Sequence, residues 1–458
     1  MPCHPLALPL ARLTLAASGL LAAAAQAQSL PDLVRQALTA DPAVMSAAAQ
    51  VRAADERVQQ ARGAFGPTVQ LTSNYTDNRY RDLQTQFDLR TFHSKQGTFQ
   101  INHPLIHPGL EPALEAARFQ WRQAQAALSQ AQSEAIQHLV EAAFELLKAR
   151  DALGFTQAQQ VAATEQLTVA RRAHQVGTAP LTDVRDAEAR HDAVAAQVIA
   201  ASAELSLRQQ TLTELAGPGA SIDALLGRGL DGQLLPQLDA SAILAWLSDA
   251  ALGNPQVAQA QMALQAAEAE IFKAKMAHAP TADLSYSFSK SGDSGTVTSS
   301  FPRRGDTSAI SLNVTVPLFA GGATQARVRE TLALRDKAQA DIDLAKRTVS
   351  LAVRQAFTGT LSSVAQAKGL EAAVRSQELA LRMARRAYEV GTKANAEVLD
   401  AQSKLFDARR DLSKARYEAW NNFIKLKAQA GKLDDTDLVQ LDTLLIEQSK
   451  PPLIAPRR

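Results

Sequence analysis

The sequence predicts a mostly α-helical protein with a membrane β-barrel, built from a duplicated unit that contributes four strands per protomer. Three observations carry this prediction: a composition rich in Ala, Gln and Leu, a long internal repeat, and four stretches of alternating polar and apolar residues. Aromatic residues make up 5% of the chain, which is more typical of long helices than of a compact α/β core. We therefore expect helices to dominate the fold.

The N-terminus has the pattern of an export signal. Arg12 precedes an apolar run at 13–25, and this run ends in an A-x-A cleavage pattern. The sequence therefore predicts a signal peptide over residues 1–27. The only cysteine, Cys3, lies before the apolar run and is expected to leave with it, which excludes thiol catalysis and Cys-based metal sites.

Charge and motifs exclude several classes of function. Lys and Arg number 48 against 46 Asp and Glu, and no short window is strongly basic, so no nucleic-acid partner is expected. The chain has no G-x-S-x-G, P-loop or H-E-x-x-H motif, so we expect neither an enzyme nor a cofactor. His103 and His107 have a spacing that suits a metal only on a helix, and Pro104 and Pro108 oppose a helix there, so no metal site is expected.

A repeat of structural landmarks runs through the chain at a shift of 213 residues (254 − 41). One inserted residue in the second half raises the shift to 214 (391 − 177). The matched landmarks are Asp41-Pro42 with Asn254-Pro255, Pro67-Thr68 with Pro280-Thr281, Pro104-Leu105 with Pro317-Leu318, and Val176-Gly177-Thr178 with Val390-Gly391-Thr392. The repeat predicts five segments. These are a signal peptide at 1–27, a first repeat at 28–217, a connecting segment at 218–240, a second repeat at 241–431, and a C-terminal segment at 432–458.

Each repeat begins with a predicted helix, over about 30–62 and 241–277, and continues with a predicted strand hairpin. The second copy alternates most clearly, because one face of its strands is apolar and the other is small and polar. Each strand is predicted to be about ten residues long, with long polar loops at 77–96 and 290–306. The apolar positions are Ala282, Leu284, Tyr286 and Phe288 in one strand and Ile310, Leu312, Val314 and Val316 in the other.

Two interpretations of these hairpins remain at this point: a soluble hairpin packed on its own helices, or membrane strands lining a wet lumen. The export signal and the nearly uncharged polar faces favour membrane strands. Four strands are too few to close a barrel, and an open edge in hydrocarbon leaves backbone groups without partners. The chain is therefore expected to oligomerise, and three copies would give twelve strands, an even number within the range of such barrels.

After each hairpin comes an unusually long helical stretch, 109–176 and 322–390, which reaches roughly 100 Å at the rise of an α-helix. Each stretch turns at a glycine and returns as a helix to about 216 or 430. The returning helices carry apolar residues at spacings of three and four, which predicts a coiled-coil seam. In the second copy the seam is Val398, Ala401, Leu405, Ala408, Leu412, Ala415 and Ala419.

Two motifs, inside a duplicated frame that covers nearly the whole mature chain, resemble the TolC family of outer-membrane efflux and secretion ducts. One is the run VPLFAGG at 316–322, and the other is YEVGT at 388–392 followed by EVLDA at 397–401. The first repeat carries a sister of the second motif at 176–187. The resemblance implies a homotrimer with a coiled-coil α-helical tunnel that crosses the periplasm, a barrel open to the outside in outer-membrane lipid, and a belt formed by 218–240 and the tail.

The resemblance also implies partners and a gate. The tips at Gly177, Thr178, Gly391 and Thr392 would dock a periplasmic adaptor bound to an inner-membrane pump of the ABC, RND or MFS type. Closure would rest on links that involve Thr182, Asp183, Tyr388 and Lys393, and on a carboxylate ring of Glu397 and Asp400. Well-studied family members have Arg where Lys393 stands and Asp where Glu397 stands. Lys cannot form the fixed bidentate contact of Arg, so weaker links are expected.

Alternatives remain open for the residues and for the whole chain. Thr and Asp near a helix N-terminus are common caps, and acidic residues in a first turn complement the helix dipole, so each gate residue also has an ordinary structural explanation. A periplasmic coiled-coil scaffold without a channel would share the helices and the signal. The sequence favours an exit duct for efflux or type I secretion and leaves the cargo open.

Overall fold

The computed structural model describes residues 29–81, 90–220, 222–230, 234–297, 299, 301–392 and 395–447. Helices dominate this part of the chain, which confirms the mostly α-helical prediction. The predicted signal peptide and Lys393 lie outside the described residues. Among the residues that are described, none of the helices has both the length and the apolar character needed to cross a bilayer.

The same order of elements occurs twice, so the duplicated unit is confirmed. The first unit consists of α1 (Leu30–Ala40), α2 (Pro42–Gly63), β1 (Thr68–Tyr80), β2 (Arg90–Ile106), α3 (Leu110–Gln175) and α4 (Leu181–Ala216). Between the units lie α5 (Asp223–Leu226) and β3 (Arg228–Leu230). The second unit consists of α6 (Ile243–Gly253), α7 (Pro255–Met276), β4 (Thr281–Asp293), β5 (Arg303–Thr315), α8 (Ala323–Glu389) and α9 (Asn395–Gln429). The chain continues into α10 (Asp435–Leu444) and β6 (Leu445–Glu447).

The opening helix of each unit is broken in two, so the single helices predicted over 30–62 and 241–277 were wrong. The break falls at Asp41 and Asn254, whose backbones are extended with ψ of 120° and 126°. Each residue precedes a proline, which disfavours helical geometry at its own position and is well suited to the first position of the next helix. The Asp41 carboxylate then caps α2 by accepting a hydrogen bond of 2.6 Å from the backbone N–H of Ala43.

The four long strands form one antiparallel sheet in the order β1-β2-β4-β5. The two units are therefore joined through the pairing of β2 with β4, in a register that places Phe99 opposite Phe288. Strands β1 and β5 are the edges of the sheet, and each has one side without a strand partner among the described residues of the protomer.

The strands are longer than the sequence predicted. Strands β1, β4 and β5 have 13 residues each and β2 has 17, against the expected ten. The strands therefore extend into both predicted loops, at 77–96 and 290–306. Strand pairing continues into the polar ends of the hairpins because the hydrogen bonds between strands involve only backbone groups. Arg79, for example, pairs with Thr91.

Two antiparallel helical hairpins, α3 with α4 and α8 with α9, are the largest structural units of the described chain. Helices α3 and α8 contain 66 and 67 residues, which gives each a length of about 100 Å. The predicted seam of α9 faces its neighbours, because Val398, Leu405, Leu412, Ala415 and Ala419 are all buried. Alanine in this seam allows the helices to approach closely.

The largest apolar core lies beside the middle of α3, where elements from both ends of the chain meet. Strand β3 pairs with β6, so the segment between the repeats is hydrogen-bonded to the C-terminal segment. Leu33 of α1, Leu146 of α3 and Leu438 of α10 are fully or almost fully buried in this core. Such burial contributes about 1.5–3 kcal/mol for each large aliphatic side chain.

Candidate functional site

The two helical hairpins end in turns of identical construction. Gly177 and Gly391 have φ of +78° and +76°, a left-handed conformation in which a side chain is strained. The N–H of each following threonine, Thr178 or Thr392, donates to a helix carbonyl five residues back at 2.9 Å. This is a Schellman motif. Each threonine hydroxyl donates to that same carbonyl, at 3.0 Å and 2.9 Å, so the repeated Gly-Thr pair has a structural role in both turns.

The predicted link residues lie close to these turns. Thr182 and Asp183 are in the first turn of α4, with Thr182 exposed and Asp183 partly buried, and Tyr388 is near the end of α8 with 36% of its surface exposed. Within one protomer, and in the described part of the chain, no hydrogen bond joins the Tyr388 hydroxyl to Thr182 or Asp183. The fourth predicted link residue, Lys393, lies outside the described residues, so the links remain a prediction.

The two predicted ring residues lie one helical turn apart on α9, with Glu397 in the first turn and Asp400 after it. The cations around Asp400 were not predicted from the sequence. Lys404 pairs with the Asp400 carboxylate at 2.7 Å, and Arg190 of α4 lies near enough to act on it electrostatically. The pKa of Asp400 is held below its usual value, chiefly because Lys404 donates a hydrogen bond to the carboxylate, with smaller contributions from both positive charges. The i, i+4 spacing of Asp400 and Lys404 is the signal that could have revealed this pair.

The two hairpins differ in the ion pairs that lie close to their turns. In the first hairpin, Glu188 accepts hydrogen bonds from Arg171 at 2.9 Å and Arg185 at 2.8 Å, and these bonds hold its pKa below the usual value. The repeat shift of 214 residues places Gln402 at the equivalent position (188 + 214). Gln402 is 6% exposed, and its Oε1 atom has no hydrogen-bond partner among the described residues. Among the described residues, the second hairpin therefore has no ion pair at this position, and its two helices are joined farther from the turn, by Arg409 and Glu378 at 2.6 Å.

A buried polar network links the hairpins to the segment between the repeats. The Asp151 carboxylate of α3 accepts hydrogen bonds from Ser413 at 2.7 Å and Tyr417 at 3.2 Å, both on α9. Arg150 pairs with Asp151 and donates to the backbone carbonyls of Leu226, at 3.0 Å, and of Arg228.

Tyr417 is the most deeply buried member of this network, with 2% of its surface exposed. Burial raises the pKa of its hydroxyl well above the usual value, and the negative charge of Asp151 adds to the effect. The hydroxyl is therefore a proton donor to Asp151 at any physiological pH. Nothing in the local sequence predicted this network.

The four-stranded sheet has one polar face and one exposed apolar face. Its apolar face includes Leu71, which is 79% exposed, and Ile310, which is 77% exposed. The opposite face has a groove lined by polar residues, which are Thr68, Gln70, Gln100, Asn102, Asp283, Ser285 and Asn313. This division confirms the alternation predicted for all four strands. An exposed apolar sheet face of this size is typical of contact with lipid or with another protein.

Long helical hairpins joined to a sheet with one exposed apolar face define the protomer of an outer-membrane channel. The comparison with protein families agrees, because the model of the outer membrane efflux protein family matches residues 33–218 and 246–432. This chain belongs to the outer membrane efflux protein family. It is an outer-membrane protein whose helical hairpins extend into the periplasm.

Relatives match over most of their length. The outer membrane protein TolC of Vibrio cholerae serotype O1 is 29% identical over 429 residues, which cover 93% of this chain and 96% of that protein. The proteases secretion protein PrtF of Dickeya chrysanthemi is 25% identical over 422 residues, or 91% of each chain. The crystal structure of the CmeC outer membrane channel of Campylobacter jejuni superposes with a TM-score of 0.73 at 16% identity, covering 90% of this chain and 89% of that one. The similarity to this last structure shows that the two chains share a fold.

Proposed function

We propose that three copies of this chain form the exit duct of a tripartite efflux or type I secretion system. The duct passes substrates from an inner-membrane transporter across the periplasm and the outer membrane. The observation that carries the proposal is the exposed apolar face of the sheet, which backs onto a polar, nearly uncharged face. The relatives support it, since one is named for protease secretion and the family is named for efflux.

The two open edges support the trimer. Successive strands of the sheet run antiparallel, so β1 and β5 run in opposite directions. Strand β5 of one copy therefore meets β1 of the next in antiparallel pairing, and three copies of four strands close a barrel of twelve. The alternative of a periplasmic coiled-coil scaffold finds no support, because it leaves the apolar face of the sheet in water.

The remaining parts of the duct follow from this arrangement. The turns at Gly177, Thr178, Gly391 and Thr392 are the inner tips, which dock a periplasmic adaptor and an inner-membrane pump of the ABC, RND or MFS type. The segments at 218–240 and 432–458 form a belt around the middle of the helical tunnel, which the repeats at 28–217 and 241–431 build. The pairing of β3 with β6 supports this assignment.

The ring assignment predicts the ion selectivity of the resting channel. Glu397→Ala combined with Asp400→Ala is expected to reduce cation selectivity and block by multivalent cations, because three copies place six carboxylates around a narrow mouth. Reversal potentials of single channels in a planar bilayer under a KCl gradient measure the effect. Lys404→Gln removes a counter-charge from Asp400 and is expected to increase cation selectivity. Unchanged selectivity in the double carboxylate variant contradicts the ring.

The link assignment predicts the resting conductance. Tyr388→Phe combined with Thr182→Val removes two hydroxyl groups from the proposed links, so the tips are expected to open more easily and the conductance to rise. Tyr286→Phe is the matched control, since it makes the same chemical change in β4, far from the tips. A double variant that keeps the wild-type conductance shows that these residues do not hold the gate closed.

A further inference from the structure

A row of basic side chains crosses the sheet near the end that lies away from the helices. Lys95 of β2, Lys290 of β4 and Arg304 of β5 form this basic row, and all three are exposed. The register places both Lys95 and Arg304 opposite Gly292, and Lys290 lies two residues nearer the helices, opposite Asp306. Side chains two residues apart along a strand share a face, so the row lies on the same face as Ile310 and the other apolar residues.

The basic row faces away from the lumen, although water in the lumen would solvate its charges. Near the same height, most lumen-facing side chains are neutral, as Asn74, Gln96 and Ser291 are, and the two charged ones, Asp293 and Arg303, stand opposite each other. A Lys or Arg that faces the centre of a bilayer costs about 2–4 kcal/mol, and this cost falls to about 0–1 near the interface. Cations on the outward face are therefore tolerated at headgroup depth. The basic row marks that depth on the outer side of the membrane.

The basic row lies at one end of the apolar band, which is the stretch of apolar residues on the outward face of the sheet. From Phe288 down to Ala282, about 20 Å along the strand, the outward residues of β4 are apolar. At the end of the band beside the helices, the outward faces of the described strands carry neither Lys nor Arg; Val314 and Leu284 are typical. The two leaflets therefore meet chemically different surfaces. At the outer one, the described outward faces carry four cations, Arg79, Lys95, Lys290 and Arg304, against the two carboxylates of Asp77 and Asp306, which leaves a positive surplus.

Within the protomer, neighbouring residues neutralise little of the positive charge of the basic row. Lys290 approaches Asp306 at 3.6 Å, which is longer than a charge-assisted hydrogen bond. Lys95 lies 5.7 Å above the ring of Tyr75, an arrangement that orients the ammonium group without neutralising it. Among the described residues, no ion pair or hydrogen bond engages the guanidinium of Arg304.

We infer that the basic row binds the phosphate groups of anionic lipids in the outer leaflet, as a headgroup site repeated around the trimer. Phosphate is the fitting ligand because the row combines flexible ammonium groups with a guanidinium, above an apolar wall that accepts acyl chains. This inference rests on the proposed barrel, and it names the class of lipid that the outward face of the barrel binds. Each Lys or Arg near an anionic membrane surface adds about 1 kcal/mol of attraction.

The test is a titration of the purified full-length trimer in detergent with bisphosphorylated lipid A, followed by native mass spectrometry. Phosphatidylcholine, which has no net charge, is the reference lipid. The triple variant Lys95→Thr, Lys290→Ser, Arg304→Thr is expected to lose on the order of 100-fold in affinity for lipid A, with no change for phosphatidylcholine. Arg303→Thr is the matched control, because Arg303 is adjacent in sequence and lies on the lumen face. It is expected to bind lipid A as the wild type does.

Three outcomes overturn the inference. They are equal affinity of the wild type for both lipids, equal losses in the triple variant and in Arg303→Thr, and saturation of the site by inorganic phosphate alone. Heat-dependent migration of the trimer on a gel is recorded for every variant. A wild-type protein that never forms such a trimer overturns the proposed duct itself, whereas a trimer without lipid preference overturns only the basic row.

Discussion

Ile310→Arg is expected to abolish insertion of the protein into the outer membrane. Ile310 lies on the outward face in the middle of the apolar band, opposite Tyr286, and is 77% exposed. An Arg at this depth costs about 2–4 kcal/mol in each protomer, and three copies add up to about 6–12 kcal/mol for the trimer. The measurement is the amount of heat-modifiable trimer in the outer-membrane fraction.

The neighbouring residue supplies the control for this prediction. Ser311→Arg introduces the same side chain one residue further along β5, where it faces the polar side opposite Ser285. This variant is expected to insert normally, because its charge lies in water. If both variants insert equally well, the apolar face does not contact lipid and the assignment of the two faces is wrong.

Asp151→Ala is expected to cause the largest loss of stability outside the membrane. It leaves Arg150 without its carboxylate and removes the acceptor for the hydroxyls of Ser413 and Tyr417. The side chains of Arg150 and Asp151 are 17% and 13% exposed, so removal of one charge leaves the other largely desolvated. Breaking such a buried pair costs about 3–5 kcal/mol. Urea unfolding at a fixed protein concentration measures the difference.

Tyr417→Phe is the matched control within the same network. It removes one hydrogen-bonding hydroxyl from a fully buried ring and keeps the ion pair intact, so a loss of about 1 kcal/mol is expected. An Asp151→Ala protein that loses no more stability than Tyr417→Phe shows that the carboxylate does not organise the network.

Periodicity explains why the helices, the strands and the duplication could be predicted from the sequence. The α9 seam that begins at Val398 repeats at spacings of three and four, and the β4 alternation between Leu284 and Ser285 has a period of two. The turns were equally accessible, because Gly177 and Gly391 are required by a left-handed backbone that other residues resist. The break at Asp41 had a clear signal in the following proline, which had been used only as a repeat landmark.

The central network could not be predicted in the same way. Asp151 and Tyr417 are 266 residues apart, and neither stands in a motif. Their contact follows from the packing of α9 on α3, which no local pattern encodes. The gate is equally hard to predict from sequence, because the proposed links and the carboxylate ring depend on how the protomers contact one another. Lys404, by contrast, lies four residues after Asp400 on the same helix and was open to prediction.

The most direct test of the account is the mass of the mature protein extracted from outer membranes in detergent, by light scattering or native mass spectrometry. Two strand edges without partners among the described residues, together with an exposed apolar face, predict a closed oligomer. The proposed duct requires that this oligomer have three protomers and dissociate only on heating. A stable monomer in detergent, or a protein that is freely soluble without detergent, contradicts the account.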